Sequence, residues 1–154
     1  MSFSELESLS SLEMKSLFSM QTITDEGAFW APGTRNSEMN SILALVTNET
    51  DGFSAMHRLQ LTEGWQWLAG APLELLQLGK NGQSEKIVLD AKTPQALVPV
   101  GVWQGAKTLG EWTLISCWCA PAFEYELFEL GKRKVLCEEY PEVADLITEL
   151  TREA

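Results

Sequence analysis

Apolar and polar positions change rhythm three times along this chain. Residues 2–19 carry Leu6, Leu9, Leu12 and Leu17 at spacings that build an apolar stripe on one helix. Ser4 and Glu7 have the S-x-x-E spacing of a capping box at its start. Gly27, Pro32 and Gly33 then interrupt a short apolar run, Ala28-Phe29-Trp30. From residue 40 to about 130 the helical period disappears. Short apolar runs at 41–46, 53–61, 64–68, 73–78, 87–89, 96–98, 102–104 and 112–120 alternate with turn-forming residues. Asn48-Glu49-Thr50-Asp51-Gly52 reads as a turn, and Gly79-Lys80-Asn81-Gly82 as a hairpin loop. Residues 123–130 alternate, with Phe123, Tyr125 and Leu127 on one side and Glu124 and Glu126 on the other, as in a final strand. The helical period returns at 141–152. Pro141 suits a first helical position, and Val143, Leu146, Ile147 and Leu150 fall on one face. Many short strands at close spacing predict an all-β sandwich or barrel, here with a helix at each end.

A chain of 154 residues with 45% apolar content is long enough to bury one core without staples. We therefore expect one domain over residues 1–154, with the barrel at about 26–130 and flanking helices at about 2–19 and 141–152. The formal net charge of −11 disfavours nucleic acid and anionic membrane surfaces as partners, because both are bound largely through Lys and Arg. It leaves room for a small-molecule ligand. Cys117, Cys119 and Cys137 make no closed disulfide set and read as buried free thiols of a reducing compartment. The chain opens on no basic-then-apolar leader, and no apolar stretch approaches a membrane span, so a soluble cytoplasmic protein is expected.

Two segments carry the chemistry. The first runs from Gly52 through His57, Leu59 and Glu63 to Gly70; the second holds Pro99, Gly101 and Gln104. In order and in spacing they resemble the two motifs of the cupin superfamily. His57 matches the first histidine of the family's H-x-H, Glu63 the glutamate and Gly70 the closing glycine. Pro99 and Gly101 match the P-x-G of the second motif. Leu59 stands where the second histidine belongs, Gln104 where the later histidine belongs, and Thr108 where the asparagine belongs. The run from Ala69 to Leu75, with that from Val98 to Gln104, is similar to an uncharacterised metal-poor cupin subfamily. The resemblance spans roughly residues 26–130. It implies a double-stranded β-helix, the cupin jelly-roll barrel, and commonly a homodimer.

On a strand, residues two apart share a face, so His57 and Leu59 project together. Glu63 lies one strand further on and Gln104 is expected from the opposite part of the barrel. Such positions converge only if the sheet closes. The surviving donors, His57, Glu63 and Gln104, are one imidazole, one carboxylate and one amide, and His57 is the only histidine of the chain. First-row metals are held chiefly by His, Cys and carboxylates, so no metal and no other cofactor is expected. If an ion did bind, these three residues would hold it.

The expected function is therefore metal-independent binding of a small molecule inside the barrel. Its contacts would be His57, Glu63 and Gln104, with Trp65, Trp67, Trp103 and Trp118 as aromatic walls. An alternative follows from the resemblance to metal-free epimerases that act on sugar-like substrates: an isomerase with His57 as general base and Tyr125 as general acid. A metal-dependent dioxygenase-like activity is the third reading. Arg35 is the one cation suggested near the pocket, since Arg58 faces away from His57. Glu26-Gly27 reads as a turn with no chemical role.

Overall fold

The computed structural model describes residues 1–153. Two antiparallel sheets face each other across the core. The first contains β1 (Gln21–Thr22), β2 (Phe29–Arg35), β3 (Asn40–Thr47), β10 (Trp112–Ala120), β5 (Thr62–Gly70) and β8 (Gln95–Val98), in that order. The second contains β11 (Phe128–Leu130), β4 (Ser54–Leu59), β9 (Trp103–Thr108), β6 (Leu73–Leu78) and β7 (Ser84–Leu89). Consecutive strands cross repeatedly between the two sheets, which makes the jelly-roll barrel expected from the motifs. Glycine-flanked Lys80–Gly82 forms the 3₁₀ turn that joins β6 to β7 as a hairpin.

Period-two alternation decides what each strand offers the interior. On β10, Ile115, Cys117 and Cys119 point inward, while Trp118 between the two cysteines is exposed. The inner faces of the two sheets bury Val46, Trp65, Leu73, Leu75, Ile115 and Cys117 in the main core. The helices cover the outer faces. Helices α1 (Phe3–Glu7) and α2 (Ser11–Leu17) seal the first sheet, with Met14 packed on Phe29, Leu45 and Trp112. Helices α3 (Arg133–Glu139) and α4 (Ala144–Glu149) seal the second, with Leu136, Ile147 and Leu150 packed on Met56, Leu76 and Trp103. Among the described residues no helix is long and apolar enough to cross a membrane.

Both ends differ from the sequence expectation in that each holds two short helices rather than one, and at the N-terminal end local capping makes the split. Capping boxes form at Ser2/Glu5 and Ser10/Glu13, so the chain restarts a helix at Ser11. Ser4 and Glu7 form no box. The Glu7 carboxylate instead accepts from the Gly70 amide at 2.8 Å. Leu12 and Leu17 are consequently exposed, and Met14 takes the buried position. At the C-terminus, Pro141 opens a 3₁₀ turn, Pro141–Val143, and α4 begins only at Ala144. Helix α3 has no cap or stripe conspicuous enough to have announced it. The stretch 123–130 is mostly irregular: Tyr125–Leu127 is a 3₁₀ turn, and only β11 pairs, with β4.

The closing glycine of the first motif has a steric reason. Gly70 ends β5 with φ +90°, and a Cβ there would lie 2.5 Å from the Trp112 carbonyl oxygen. Gly64, on the same strand, faces open space. Gly70→Ala is therefore expected to cost on the order of 2–4 kcal/mol, and Gly64→Ala close to nothing, in urea unfolding. Equal costs at the two positions would contradict this placement.

Candidate functional site

One end of the barrel is open between the sheets and holds a cavity of about 270 Å³. Its floor is set by β4, which turns His57 and Leu59 to the same side as expected. Leu59, in place of a second histidine, makes that floor apolar. Glu63 enters from β5, Cys119 from β10, and Trp30 from β2. The walls are completed by Phe123, Tyr125 and Phe128 from the irregular segment after β10. Phe128 stacks on His57 with ring centroids 5.4 Å apart, and Tyr125 stacks on Phe128 at 5.7 Å. The lining is thus aromatic and apolar apart from a few polar groups.

Those groups are arranged around the imidazole. His57 is 2% exposed. Its Nδ1 lies 2.7 Å from the Ala55 carbonyl oxygen. A carbonyl only accepts, so Nδ1 carries the proton and Nε2 faces the cavity. The Glu26 carboxylate stands 3.7 Å from Nε2 and accepts a hydrogen bond from the Ser54 hydroxyl at 2.6 Å. The turn that sequence reasoning left without a role therefore delivers a carboxylate to His57. Gly27 has φ +81°, and the Arg152 guanidinium occupies the space where a side chain would be. Arg152 donates to the carbonyls of Glu26 and Phe53, each at 2.6 Å, and so clamps the turn against the start of β4.

Glu63 is the second acidic group. Burial pushes its carboxyl up to about 7; the nearby His57 opposes this, the Glu26 carboxylate adds to it, and the adjacent Gln104 amide and Cys119 thiol oppose it more weakly. Oε2 accepts from the Cys119 thiol at 3.6 Å. Oε1 is the one buried side-chain oxygen or nitrogen among the described residues with no hydrogen-bond partner. Buried polar atoms are nearly always satisfied, so an orphan on a side chain that lines a cavity marks a place for a hydrogen-bond partner. Cys117 and Cys119 are both free, and burial pushes their thiols well up, so neither is a nucleophile.

Several expected contacts fall elsewhere. Gln104 is not across the barrel from His57; it is its direct cross-strand partner on β9. Its side-chain oxygen accepts from the Trp65 indole N–H at 2.7 Å, so both residues are buried behind the cavity. Trp67 faces the main core near the other end of β5 and donates to the Ala71 carbonyl. Trp103 follows the opposite parity to Gln104, faces the C-terminal helices and lies under Arg58. Trp118 is on the outer face beside Gly64 and Leu97. The aromatic wall is real, but Trp30, Phe123, Tyr125 and Phe128 make it. Tyr125 donates to the Asp25 carboxylate, and the Phe128 ring stands between it and His57. Arg35 reaches the cavity rim, where it donates to the Phe123 carbonyl and the Glu124 carboxylate.

The family resemblance implies a metal in many relatives, and a resident ion would need at least three protein donors. Leu59 offers no ligand, and the Gln104 oxygen is taken by Trp65. Among the described residues no three His, Cys, Asp or Glu side chains converge as a metal-binding group. These donors do not form the three-ligand set of a resident catalytic ion.

The fold and the motif spacing agree with the comparisons. A protein of unassigned function from Leishmania major superimposes with TM-score 0.84 at 21% identity, over 94% of this chain and all of that one. A Shewanella oneidensis protein gives 0.84 at 25% identity, over 95% and 99% of the two chains. Oxalate decarboxylase from Bacillus subtilis gives 0.60 at 11% identity, over 89% of this chain and 38% of that one. No curated protein matches the sequence. The model of a family described as Cupin superfamily (DUF985) matches residues 13–131, which hold the whole cavity apart from its C-terminal supports, and the chain belongs to that family.

Proposed function

We propose that this cupin binds a small molecule in the open end of its barrel without a metal ion, using Glu63, His57 and Glu26 as polar contacts. One observation carries the reading: the Glu63 side chain lines an otherwise mostly apolar, aromatic cavity, and its buried Oε1 has no hydrogen-bond partner. Ligand sites are typically apolar pockets with a few convergent polar atoms. Trp65 and Gln104 support the site from behind, and Trp67 lies away from it near the other end of β5. A thermal-shift screen of metabolites tests it. Ligands should raise the melting temperature of the parent protein but not of a His57→Ala variant. A screen in which every responding compound stabilises both proteins equally would sink it.

Metal independence has its own check. Protein purified without added metal should carry well under one transition-metal ion per chain by elemental analysis. About one iron or manganese per chain would overturn this part.

One feature favours a second reading, proton transfer on the bound ligand. The Ala55 carbonyl holds His57 in the tautomer whose Nε2 can accept a proton. In that reading the partner acid is Glu63, whose carboxyl sits up near 7, rather than Tyr125, whose hydroxyl is committed to Asp25. Solvent-deuterium exchange into a bound ligand, lost in His57→Gln, is the expected signature.

A further inference from the structure

We propose that the ligand is a small organic cation: a protonated amine on a flat apolar body, its nitrogen held by Glu63 and Glu26 and its body against the aromatic wall. The proposal rests on the cavity being a small-molecule site and adds the ligand's charge. Charge complementarity is the first argument. Two carboxyl groups, Glu26 and Glu63, line the cavity close enough to repel each other. The only Lys or Arg in the lining is Arg35, and its guanidinium is already engaged by the Phe123 carbonyl and the Glu124 carboxylate. An anion entering here would meet two carboxyl groups with only the His57 imidazole between them to offset their charge; a cation would relieve it.

The unpartnered Glu63 Oε1 is the second argument. Once Glu63 ionises, above about 7, its carboxylate only accepts, so a partner at Oε1 must then donate, and an ammonium group offers up to three donors from one atom. The wall is the third. Trp30 and Phe123 add π systems, whose faces are electronegative and attract cations, beside the stacked Tyr125, Phe128 and His57 rings. A polyhydroxylated ligand fits poorly, because hydroxyls around its whole rim would face this apolar wall unsatisfied. Charge also links binding to protons. A cation favours the ionised Glu63, so affinity should rise with pH through about 7. The groups facing Glu63 that join this balance are His57 from β4, Glu26 from the turn before β2, and Cys117 and Cys119 from β10. Asp25, Arg35 and Tyr125 lie further out, at the mouth.

Three probes that share one ring and differ in charge test the proposal on the full chain: benzylamine, benzyl alcohol and benzoate. Binding is followed by the Leu59 methyl resonances, which report the cavity floor, and by calorimetry. Benzylamine should shift the Leu59 methyls and bind on the order of tenfold or more tighter than benzyl alcohol, with benzoate weakest. Glu63→Gln, which keeps shape and loses charge, should weaken benzylamine by on the order of tenfold and leave benzyl alcohol unchanged. Benzyl alcohol or benzoate matching benzylamine at Leu59 would overturn the cation assignment while leaving the cavity a binding site. Three probes that all leave the Leu59 methyls unmoved would overturn both.

Discussion

Glu63→Gln is expected to stabilise the protein at pH 8 by up to about 3 kcal/mol, with the gain fading to nothing below pH 4.5. The sign follows from proton linkage. Burial raises the Glu63 carboxyl from 4.5 to about 7 in the folded state. Below 4.5 both folded and unfolded chains hold the proton, and the group costs nothing. As pH rises from 4.5 to about 7 the unfolded chain gives up a proton that the folded one still holds, so stability is lost across that window and levels off once the folded group also ionises. Each tenfold difference in proton affinity between the two states corresponds to about 1.4 kcal/mol, which sets the scale of the gain. The variant's glutamine has no proton to lose. Carboxylates held low, such as Glu49 beside Lys15, act in the opposite sense at lower pH but are common to both proteins and cancel in the difference. Urea unfolding of parent and variant from pH 4 to 8 measures the effect. A pH-independent difference would mean that Glu63 is not held protonated by its surroundings. The same substitution should cost amine binding, so stability and binding would move in opposite directions at one residue.

Gly27→Ala is the second large effect, expected at about 3 kcal/mol. A side chain at φ +81° is strained by about 1 kcal/mol, and its Cβ would lie 2.5 Å from the Arg152 Cζ, expelling the guanidinium. Arg152→Ala removes the same hydrogen bonds to Glu26 and Phe53 and should cost about 2 kcal/mol. Because both changes remove one shared contact, the double variant should cost little more than Gly27→Ala alone. Full additivity in that cycle would show that Arg152 does not clamp the turn. Arg152→Lys should not rescue, since a single ammonium cannot reproduce the forked contact. Both single variants should also weaken ligand binding, because the clamp holds the Glu26 carboxylate 3.7 Å from His57 Nε2.

The barrel and the core of its cavity were legible before the structure because they depend on local rules. The spacing from His57 through Glu63 to Gly70, which carries the cupin resemblance, spans two consecutive strands on facing sheets and the sterically forced turn after them. Leu59 beside His57 followed from period two alone. The same rule, applied to Trp103 and Trp118, would have excluded both, since each alternates with an inward residue: Gln104 in one case, Cys117 and Cys119 in the other. Counting tryptophans near the motifs concealed that parity. Glu26, Trp30 and Phe128 were out of reach for a different reason. They join His57 through long-range sheet pairing and an irregular segment, and neither has a periodic signature. Glu26-Gly27 did show as a turn, but its partner Arg152 lies 126 residues away. The Pro141 signal marked a real helical start, but the first turn it opens is 3₁₀, so α4 begins only at Ala144, and α3 carries no side-chain cap that would have announced it.

Whether the open end of the barrel holds a small molecule through Glu63 without a metal is tested most directly by a crystal structure of the full chain soaked in benzylamine, with anomalous data collected. The expected result is a ring against Phe128 and a nitrogen within hydrogen-bond distance of Glu63 Oε1. An anomalous peak liganded by His57 Nε2 and Glu63, or a cavity filled only by water, would contradict it.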